Sequence, residues 1–443
     1  MQNCGNQSIV KATIPFSSDI SSKALERIIY NRVTDHLGST CPPAVNQWGF
    51  LPGKSTVGAI LSATHEWYAL LEERKEVGSV FFDLTKAFDS VPHRLLLSKL
   101  EEIGLNSFLV NWIADYLTGR TQAVVLNGVS SKPLPVLSGV PQGSVLGPLL
   151  FLLYINDINC AGISSGSKLV LYADDILLYR PVQSQEDYVA LQRDVDVLAA
   201  WSAGKRLMFN PKKCKAMLIS CKRSKKTIPQ QLLLNGSPIE TVDCYKYLGI
   251  NITSDLSWTK HIQLIASKAR RLVGLLYRQF YHCSDTSTLR KLYISLVRPH
   301  MEYACSIWDP FSAKDRDILE GVQRFAGRVC LKNWNYGYPE MLNLLSLPTL
   351  ETRRKVAKLS MMYKIVNNLV VFPESSALLQ PLNNPYCTRF THNLSFSNFQ
   401  GRTSRFLYSY FPSTLTLWNR LPYSITSSPS VPSFKHSLNN YFV

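Results

Sequence analysis

Residues 168–180 read KLVLYADDILLYR, two short apolar segments that meet at a pair of adjacent carboxylates, Asp174 and Asp175. Upstream, residues 79–84 read SVFFDL, another apolar run, which contains Asp83 at its end. Short runs rich in Val, Leu, Phe and Tyr predict β-strands. Because unpaired charge is costly beside buried apolar strands, three acids at predicted strand ends require an explanation.

Two explanations are open for these acids. Asp is common in exposed turns, and an isolated Asp-Asp pair is most simply explained that way. A third carboxylate at the end of another strand favours a second explanation. If the strands are neighbours in one sheet, the acids converge where divalent cations would neutralise them, and their oxygen ligands suit Mg²⁺. Such a convergence is the arrangement that a two-metal site for phosphoryl transfer requires.

Charge is distributed unevenly along the 443 residues. The net charge is +17, but residues 1–200 carry −4 and residues 201–443 carry +21. Such a field attracts polyanions. Nucleic acid is favoured over a membrane surface, because no basic amphipathic helix or lipidation motif is apparent. No signal peptide and no apolar run of about 20 residues is present, so we expect an intracellular protein, in the nucleus or the cytoplasm.

Five segments in order resemble motifs of the reverse transcriptases of LINE-type (non-LTR) retrotransposons. They are residues 82–89 (FDLTKAFD), 138–144 (SGVPQGS), 172–175 (YADD), 210–215 (NPKKCK) and 245–250 (YKYLGI). Each motif alone is a weak signal, whereas the five in this order are specific.

The resemblance implies an α+β fold of the right-hand polymerase type. It implies a palm with an antiparallel sheet and packed helices, partial fingers and a mainly helical thumb, followed by a helical or irregular C-terminal region. We expect an atypical segment over 1–23, fingers and palm over 24–255, a thumb-like basic region over 256–379, and a tail of unknown fold over 380–443. Relatives usually carry an Arg-Pro-Ile-Ser-Leu stretch and an upstream endonuclease domain. Neither is visible, so the chain resembles an N-terminally truncated copy.

The resemblance also implies roles for the acids and their neighbours. Asp83, Asp174 and Asp175 would hold two Mg²⁺ ions, with Mn²⁺ as a substitute. Lys213 would protonate the leaving pyrophosphate, with Lys212 or Lys215 in that role, or a solvated surface lysine, as the alternatives. Phe88 would exclude a 2′-hydroxyl and so favour dNTPs, although a core aromatic residue is the alternative explanation.

Further roles concern the nucleotide and the primer. The resemblance places Pro141, Gln142 and Gly143 in a loop that contacts the incoming nucleotide and the template. Leu51 stands where relatives carry an arginine, which leaves Lys54 as the nearest partner for a triphosphate. The turn formed by Tyr247, Leu248 and Gly249 would be the primer grip.

A cluster of basic residues follows the predicted active-site sheet. We expect these side chains to contact a duplex backbone, and a solvated loop is the alternative: Lys212, Lys213, Lys215, Lys222, Arg223, Lys225 and Lys226.

The function predicted from the resemblance is RNA-directed DNA polymerase activity, in which dNTPs extend a DNA primer on an RNA template. Another chain would have to supply an endonuclease, and no membrane partner is expected. The leading alternative is a catalytically impaired, nucleic-acid-binding relic of a retrotransposon. An RNA-templated RNA polymerase and a group II intron maturase would have a similar palm. Phe88 counts against the RNA polymerase, and the absence of a visible splicing domain counts against the maturase.

Overall fold

The computed structural model describes residues 20–40, 44–222, 231–382 and 394–442. Its first part contains mostly helices, one long strand and two small hairpins: α1 (Ile20–Thr40), α2 (Thr56–Glu72), β1 (Glu76–Asp83), α3 (Ala87–Ser90), α4 (His93–Glu102), α5 (Ser107–Leu117), β2 (Thr121–Gln122), β3 (Val125–Leu126), β4 (Val129–Ser130), β5 (Leu134–Pro135) and α6 (Leu146–Ile155). Ser55 caps α2 by accepting a hydrogen bond from the Gly58 amide.

The middle part supplies most of the strands. Its elements are β6 (Lys168–Tyr172), β7 (Asp175–Val182), α7 (Gln185–Gly204), β8 (Lys215–Ile219), β9 (Leu233–Leu234), β10 (Ser237–Pro238), β11 (Glu240–Thr241), β12 (Cys244–Tyr247) and β13 (Ile250–Thr253). Ser184 and Asp187 form a reciprocal capping box at the start of α7, which fixes where this helix begins.

The remaining part is helical, as the resemblance implies for the thumb. Its elements are α8 (Thr259–Gln279), α9 (Thr286–Leu292), α10 (Arg298–Glu302), α11 (Cys305–Trp308), α12 (Ala313–Leu331), α13 (Tyr338–Leu345), α14 (Leu350–Val366), α15 (Ser375–Leu378), α16 (Ser404–Leu407), α17 (Tyr410–Trp418), α18 (Tyr423–Thr426) and α19 (Val431–Tyr441). A π-helical turn, Tyr293–Val297, joins α9 to α10.

A five-stranded sheet organises the palm, with the strand order β11-β8-β1-β7-β6. Strand β1 lies in the centre and pairs antiparallel with β7 and β8, and β7 pairs antiparallel with β6. The short β11 adds to β8 in parallel, which is the exception to the antiparallel arrangement. The sheet brings the predicted strands of Asp83 and Asp175 side by side.

Two hydrophobic cores cover the palm sheet. One joins α4, α5, α6 and α7 to residues of the sheet. The other joins α2 and the opposite face of the sheet to the helices beyond α8, and it includes Trp418 and Phe434 of the C-terminal region. The Phe434 ring stacks on Tyr363 at a centroid distance of 4.4 Å. The described residues 394–442, for which the sequence indicates no definite fold, therefore contribute to the main core.

None of the helices in the described part of the chain is long and apolar enough to span a membrane.

Candidate active site

The acids predicted from sequence meet at one end of the palm sheet. Asp83, the last residue of β1, is the cross-strand partner of Asp175, the first residue of β7. Strands β6 and β7 form a hairpin, in which Tyr172 pairs with Asp175 and the two residues between them make the turn. Ala173 has a positive φ of 54° in this turn, and Asp174 follows it. A tight turn thus places two carboxylates beside the third.

A buried glutamine that the sequence analysis did not single out holds this turn in place. The Gln47 side-chain oxygen accepts hydrogen bonds from the backbone amides of Ala173 (3.0 Å) and Gly49 (2.8 Å). The backbone of this segment also pairs with β6, because the Trp48 amide donates to the Leu171 carbonyl at 2.8 Å. Residues 46–49 therefore determine the position of the acidic turn.

Lys213 is the basic residue that the structure brings to the acids. Its Nζ lies 3.2 Å from Oδ1 of Asp83. The Asn210 amide donates to the Asp83 carbonyl at 2.9 Å, and the Asn210 carbonyl accepts from the amides of Lys213 and Cys214. These backbone bonds attach the 210–215 segment to the end of β1, which explains why this lysine reaches the site.

The carboxylates repel one another in a partly buried setting. Burial raises the pKa of Asp175 to about 6, and the negative charges of Asp174 and Asp83 add to this rise. Burial also raises the pKa of Asp174, as does the charge of Asp83, while Lys213 opposes the rise. A single lysine cannot balance three carboxylates, so negative charge at this end of the sheet stays uncompensated.

The donor set fits hard divalent cations. Carboxylate oxygens are the ligands that Mg²⁺ prefers, and the raised pKa values indicate negative charge that a cation would relieve. No group of three or more His, Cys, Asp or Glu side chains in the described residues already has the arrangement of a metal centre.

Phe88 lies in α3, five residues after Asp83, and is half-buried. Its ring stacks on Phe151 at a centroid distance of 4.5 Å and meets the exposed Phe50 edge-on at 6.2 Å. The ring therefore has a fixed position, with one side in the core and one edge toward a surface residue. This arrangement is compatible with both explanations of Phe88 given by the sequence.

The loop that contains Pro141, Gln142 and Gly143 is bound to α3. Gln142 Nε2 donates to Asp89 Oδ1 at 2.7 Å, and the Val140 amide donates to the Phe88 carbonyl at 2.7 Å. Pro141 is half-buried, and Gln142 and Gly143 are exposed. The sequence analysis did not assign a role to Asp89, whose carboxylate holds the Gln142 side chain next to Phe88.

Lys54 makes contacts that the sequence does not predict. Its Nζ donates to the Val45 carbonyl and lies 5.4 Å from the centroid of the Trp48 ring. Burial lowers the pKa of Lys54, and the charge of Glu374 partly opposes this effect. Within the described residues Lys54 makes no ion pair with the three aspartates.

The 247–249 turn lies beside the catalytic strand. Leu248 and Gly249 form a two-residue turn between β12 and β13, both with positive φ, and the buried Tyr247 precedes them. The Phe81 ring in β1 packs 5.4 Å from the Tyr247 ring, and the Leu248 carbonyl accepts from the Tyr303 hydroxyl at 3.0 Å. The turn is thereby connected both to the palm and to α10–α11.

The basic cluster is divided between the two ends of the palm sheet. Lys212 and Lys215 flank Lys213, and Lys215 pairs with Glu240 at 2.6 Å. Lys222 instead pairs at 3.0 Å with Glu76, at the start of β1 and far from Asp83. Arg223, Lys225 and Lys226 lie outside the described residues.

Carboxylates at neighbouring strand ends of a palm sheet, with a lysine beside them, fit the arrangement of a site for metal-dependent nucleotidyl transfer. A model of the family described as reverse transcriptase (RNA-dependent DNA polymerase) matches residues 17–252. The chain therefore belongs to the reverse transcriptase family, and its fold is the right-hand polymerase fold.

Its curated relatives include proteins described as probable RNA-directed DNA polymerases from transposons. The chain is 28% identical over 313 residues to the probable RNA-directed DNA polymerase from transposon X-element of Drosophila melanogaster, covering 70% of this chain and 34% of that protein. It is 30% identical over 317 residues to the corresponding protein of transposon BS of the same organism, covering 69% and 34%. The chain thus spans about a third of the length of these relatives.

Among solved structures, apo telomerase from Candida Tropicalis matches with 10% identity and a TM-score of 0.40, covering 81% of this chain and 60% of that one. Telomerase from Candida albicans with a fragment of telomeric RNA matches with 12% identity and a TM-score of 0.35, covering 77% and 55%.

Proposed function

We propose that this chain extends a DNA primer on an RNA template with dNTPs, as an RNA-directed DNA polymerase dependent on divalent metal. The observation that carries the proposal is the meeting of Asp83, Asp174 and Asp175 at one end of the palm sheet, where two of them have raised pKa values. Carboxylates under such mutual repulsion suit a site completed by cations.

The three aspartates would hold two Mg²⁺ ions, or Mn²⁺ in their place. When bound, such metals lower the pKa of the attacking hydroxyl and stabilise the leaving pyrophosphate. Lys213 neutralises Asp83 through the 3.2 Å ion pair, and we infer that it is released to donate a proton to pyrophosphate.

Substrate selection is assigned to residues near α3. Phe88, fixed by its stack on Phe151, would block a ribose 2′-hydroxyl. Gln142, oriented by Asp89, would contact the incoming nucleotide and template with its amide group. The hairpin turn at 247–249 would position the primer, and Lys212 and Lys215 would contact phosphates.

The alternative, an impaired nucleic-acid-binding relic, is favoured by the environment of Lys54. This lysine is the nearest candidate in the fingers for a triphosphate, yet its ammonium group already donates to the Val45 carbonyl and packs on Trp48. Nucleotide binding would have to break these contacts. If the chain acts at a DNA nick, an endonuclease on another chain would have to make that nick, whether this chain is an active polymerase or a relic.

The test is incorporation of dTTP on poly(rA) primed with oligo(dT), with Mg²⁺. We expect incorporation by the purified chain and none by an Asp174→Asn/Asp175→Asn variant, which loses two carboxylate charges. An Asp115→Asn/Asp317→Asn variant, matched in charge but altered at exposed positions, is the control and should keep activity. A folded chain that binds the primed template without incorporating dTTP would instead support the relic.

A further inference from the structure

Tyr303 is an exposed tyrosine that reaches from the helices beyond α8 to the turn at 247–249. The residue is 45% exposed, so its side chain is accessible from solvent. Its hydroxyl donates a hydrogen bond to the Leu248 carbonyl at 3.0 Å. Its ring lies against Gly249, because a Cβ added at that glycine would come within 3.1 Å of the ring. The roles proposed above do not include this tyrosine.

The same hydroxyl also meets the fingers. The Thr56 hydroxyl lies 3.4 Å from the Tyr303 hydroxyl oxygen. Thr56 is the first residue of α2 and stands two residues after Lys54. A tyrosine hydroxyl carries one proton and can also accept, so it can donate to Leu248 and accept from Thr56. One oxygen atom thus joins the 247–249 turn to the start of α2.

The main chain of Tyr303 is fixed on both sides. Tyr303 directly follows α10, and its amide donates to the Pro299 carbonyl at 3.0 Å. Its carbonyl accepts from the indole nitrogen of the fully buried Trp308 at 2.9 Å. Ala304, the next residue, has a positive φ of 51° and begins the turn into α11. Because these bonds lie within the protein, the side chain is directed at the turn before any nucleic acid binds.

The turn that Tyr303 holds lies close to the catalytic aspartates. The Tyr245 ring, in the strand that leads into the turn, stacks on Phe81 of β1 at a centroid distance of 4.3 Å. Burial raises the pKa of Tyr245 to about 12, and the charges of Asp175 and Asp83 add to this rise. The hairpin and the aspartates are therefore within electrostatic range of each other. A displaced turn would displace a primer end bound between the turn and the acids.

We propose that Tyr303 is a positioning residue for the primer. By fixing the 247–249 turn against the start of α2, its hydroxyl makes the turn present one backbone surface to the sugar and phosphate at the primer 3′-end. The bond also occupies the Leu248 carbonyl, whose partial negative charge would otherwise face a phosphate. This role rests on the proposed function, in which the turn positions the primer, and adds the residue that holds the turn.

The first test is the single-turnover rate of dTTP addition to oligo(dT) on poly(rA), with the enzyme in excess. Tyr303→Phe removes only the hydroxyl, and we expect the rate to fall by about two- to tenfold, as for the loss of one neutral hydrogen bond. The KM for dTTP should be unchanged. Tyr303→Ala should be slower still, because the ring contact with Gly249 is also lost. Tyr441→Phe, at a similarly exposed tyrosine in α19, is the matched control and should keep the wild-type rate.

The second test needs no catalysis. A primer whose 3′-terminal nucleotide is 2-aminopurine is annealed to an RNA template, and the fluorescence of that base reports its surroundings. Binding by the wild type and by Tyr441→Phe should change the fluorescence. Tyr303→Phe should bind the same duplex with wild-type affinity, because phosphate contacts along the duplex dominate the affinity, but it should give a smaller change. Fluorescence anisotropy of a labelled template measures the affinity.

A wild-type rate together with a wild-type fluorescence change in Tyr303→Phe would overturn the proposal. A slower rate explained in full by a smaller folded fraction, measured by thermal unfolding, would also overturn it, since Tyr303 would then only stabilise the fold. The polymerase proposal can fail separately. A wild-type chain that changes the fluorescence without incorporating dTTP would contradict polymerase activity, and a smaller change in Tyr303→Phe would still support the role of this tyrosine.

Discussion

At the scale of single residues, the exposed carboxylate of Asp89 orients the Gln142 side chain by accepting a hydrogen bond from its amide at 2.7 Å. We expect Asp89→Ala to leave the stability nearly unchanged and to raise the KM for dTTP. A hydrogen bond to a charged group contributes about 1.5–3 kcal/mol, and solvent weakens an exposed one, so the increase in KM should be about tenfold. Steady-state incorporation on poly(rA) and oligo(dT) measures it, with Asp115→Ala as the control. An unchanged KM would show that Gln142 does not need this orientation.

The residues of the candidate site were predicted unequally well from the sequence. The three aspartates were predicted because acids are conspicuous within apolar strands, and the structure brings them together. Gln47 and Asp89 were not, because their partners, Ala173 and Gln142, are far away in the sequence. A polar residue such as Gln47, which is buried beside Trp48, gives no pattern that distinguishes it from a turn residue.

At the scale of elements, the approach of the 46–49 segment to the β6–β7 turn depends on Gly49. A Cβ at this position would lie 2.6 Å from the Ala173 amide nitrogen. We expect Gly49→Ala to lower the free energy of unfolding by about 1–3 kcal/mol, as overpacking does, and to reduce dTTP incorporation. Urea unfolding and the incorporation assay measure both effects.

The matched control for that substitution is Gly38→Ala in α1, where a Cβ would meet nothing within 4 Å. Alanine is the better helix former, so this variant should be up to about 1 kcal/mol more stable than the wild type. If both variants behaved alike, the close contact at the catalytic turn would have no energetic significance.

Elements with strong local signals can be predicted from the sequence, and those that depend on tertiary contacts cannot. The Asn127-Gly128 and Asn235-Gly236 turns have positive φ at both residues, as such dipeptides favour in hairpins. The short β11 and the C-terminal helices lacked such signals. Helices as short as α16 and α18 have four residues each and are stabilised by packing rather than by propensity.

At the scale of the whole molecule, the C-terminal region packs against α2 around His65. The His65 ring meets the rings of Phe411 at 5.0 Å and Phe399 at 5.6 Å. Burial lowers the pKa of His65 from 6.5 to about 4. The unfolded chain therefore binds a proton more readily than the folded chain between these values, so stability is lost as the pH falls from 6.5 toward 4.

The predicted size of this effect is about 2 kcal/mol of stability lost between pH 7 and pH 5 through His65 alone. A His65→Gln variant should lose less stability over that interval than the wild type, as measured by urea unfolding at each pH. The exposed His282→Gln controls for removal of an imidazole. Parallel curves for the wild type and His65→Gln would contradict the assignment.

The backbone bonds between residues 46–48 and β6 have a consequence beyond the catalytic turn. The Leu171 amide donates to the Asn46 carbonyl at 2.9 Å, and its carbonyl accepts from the Trp48 amide. These groups belong to the outermost strand on that side of the sheet. An open strand edge is a template for pairing with another chain, and covering it prevents such association. Since the segment pairs with Leu171, next to the end of this edge strand, the palm sheet is protected there against edge-to-edge aggregation.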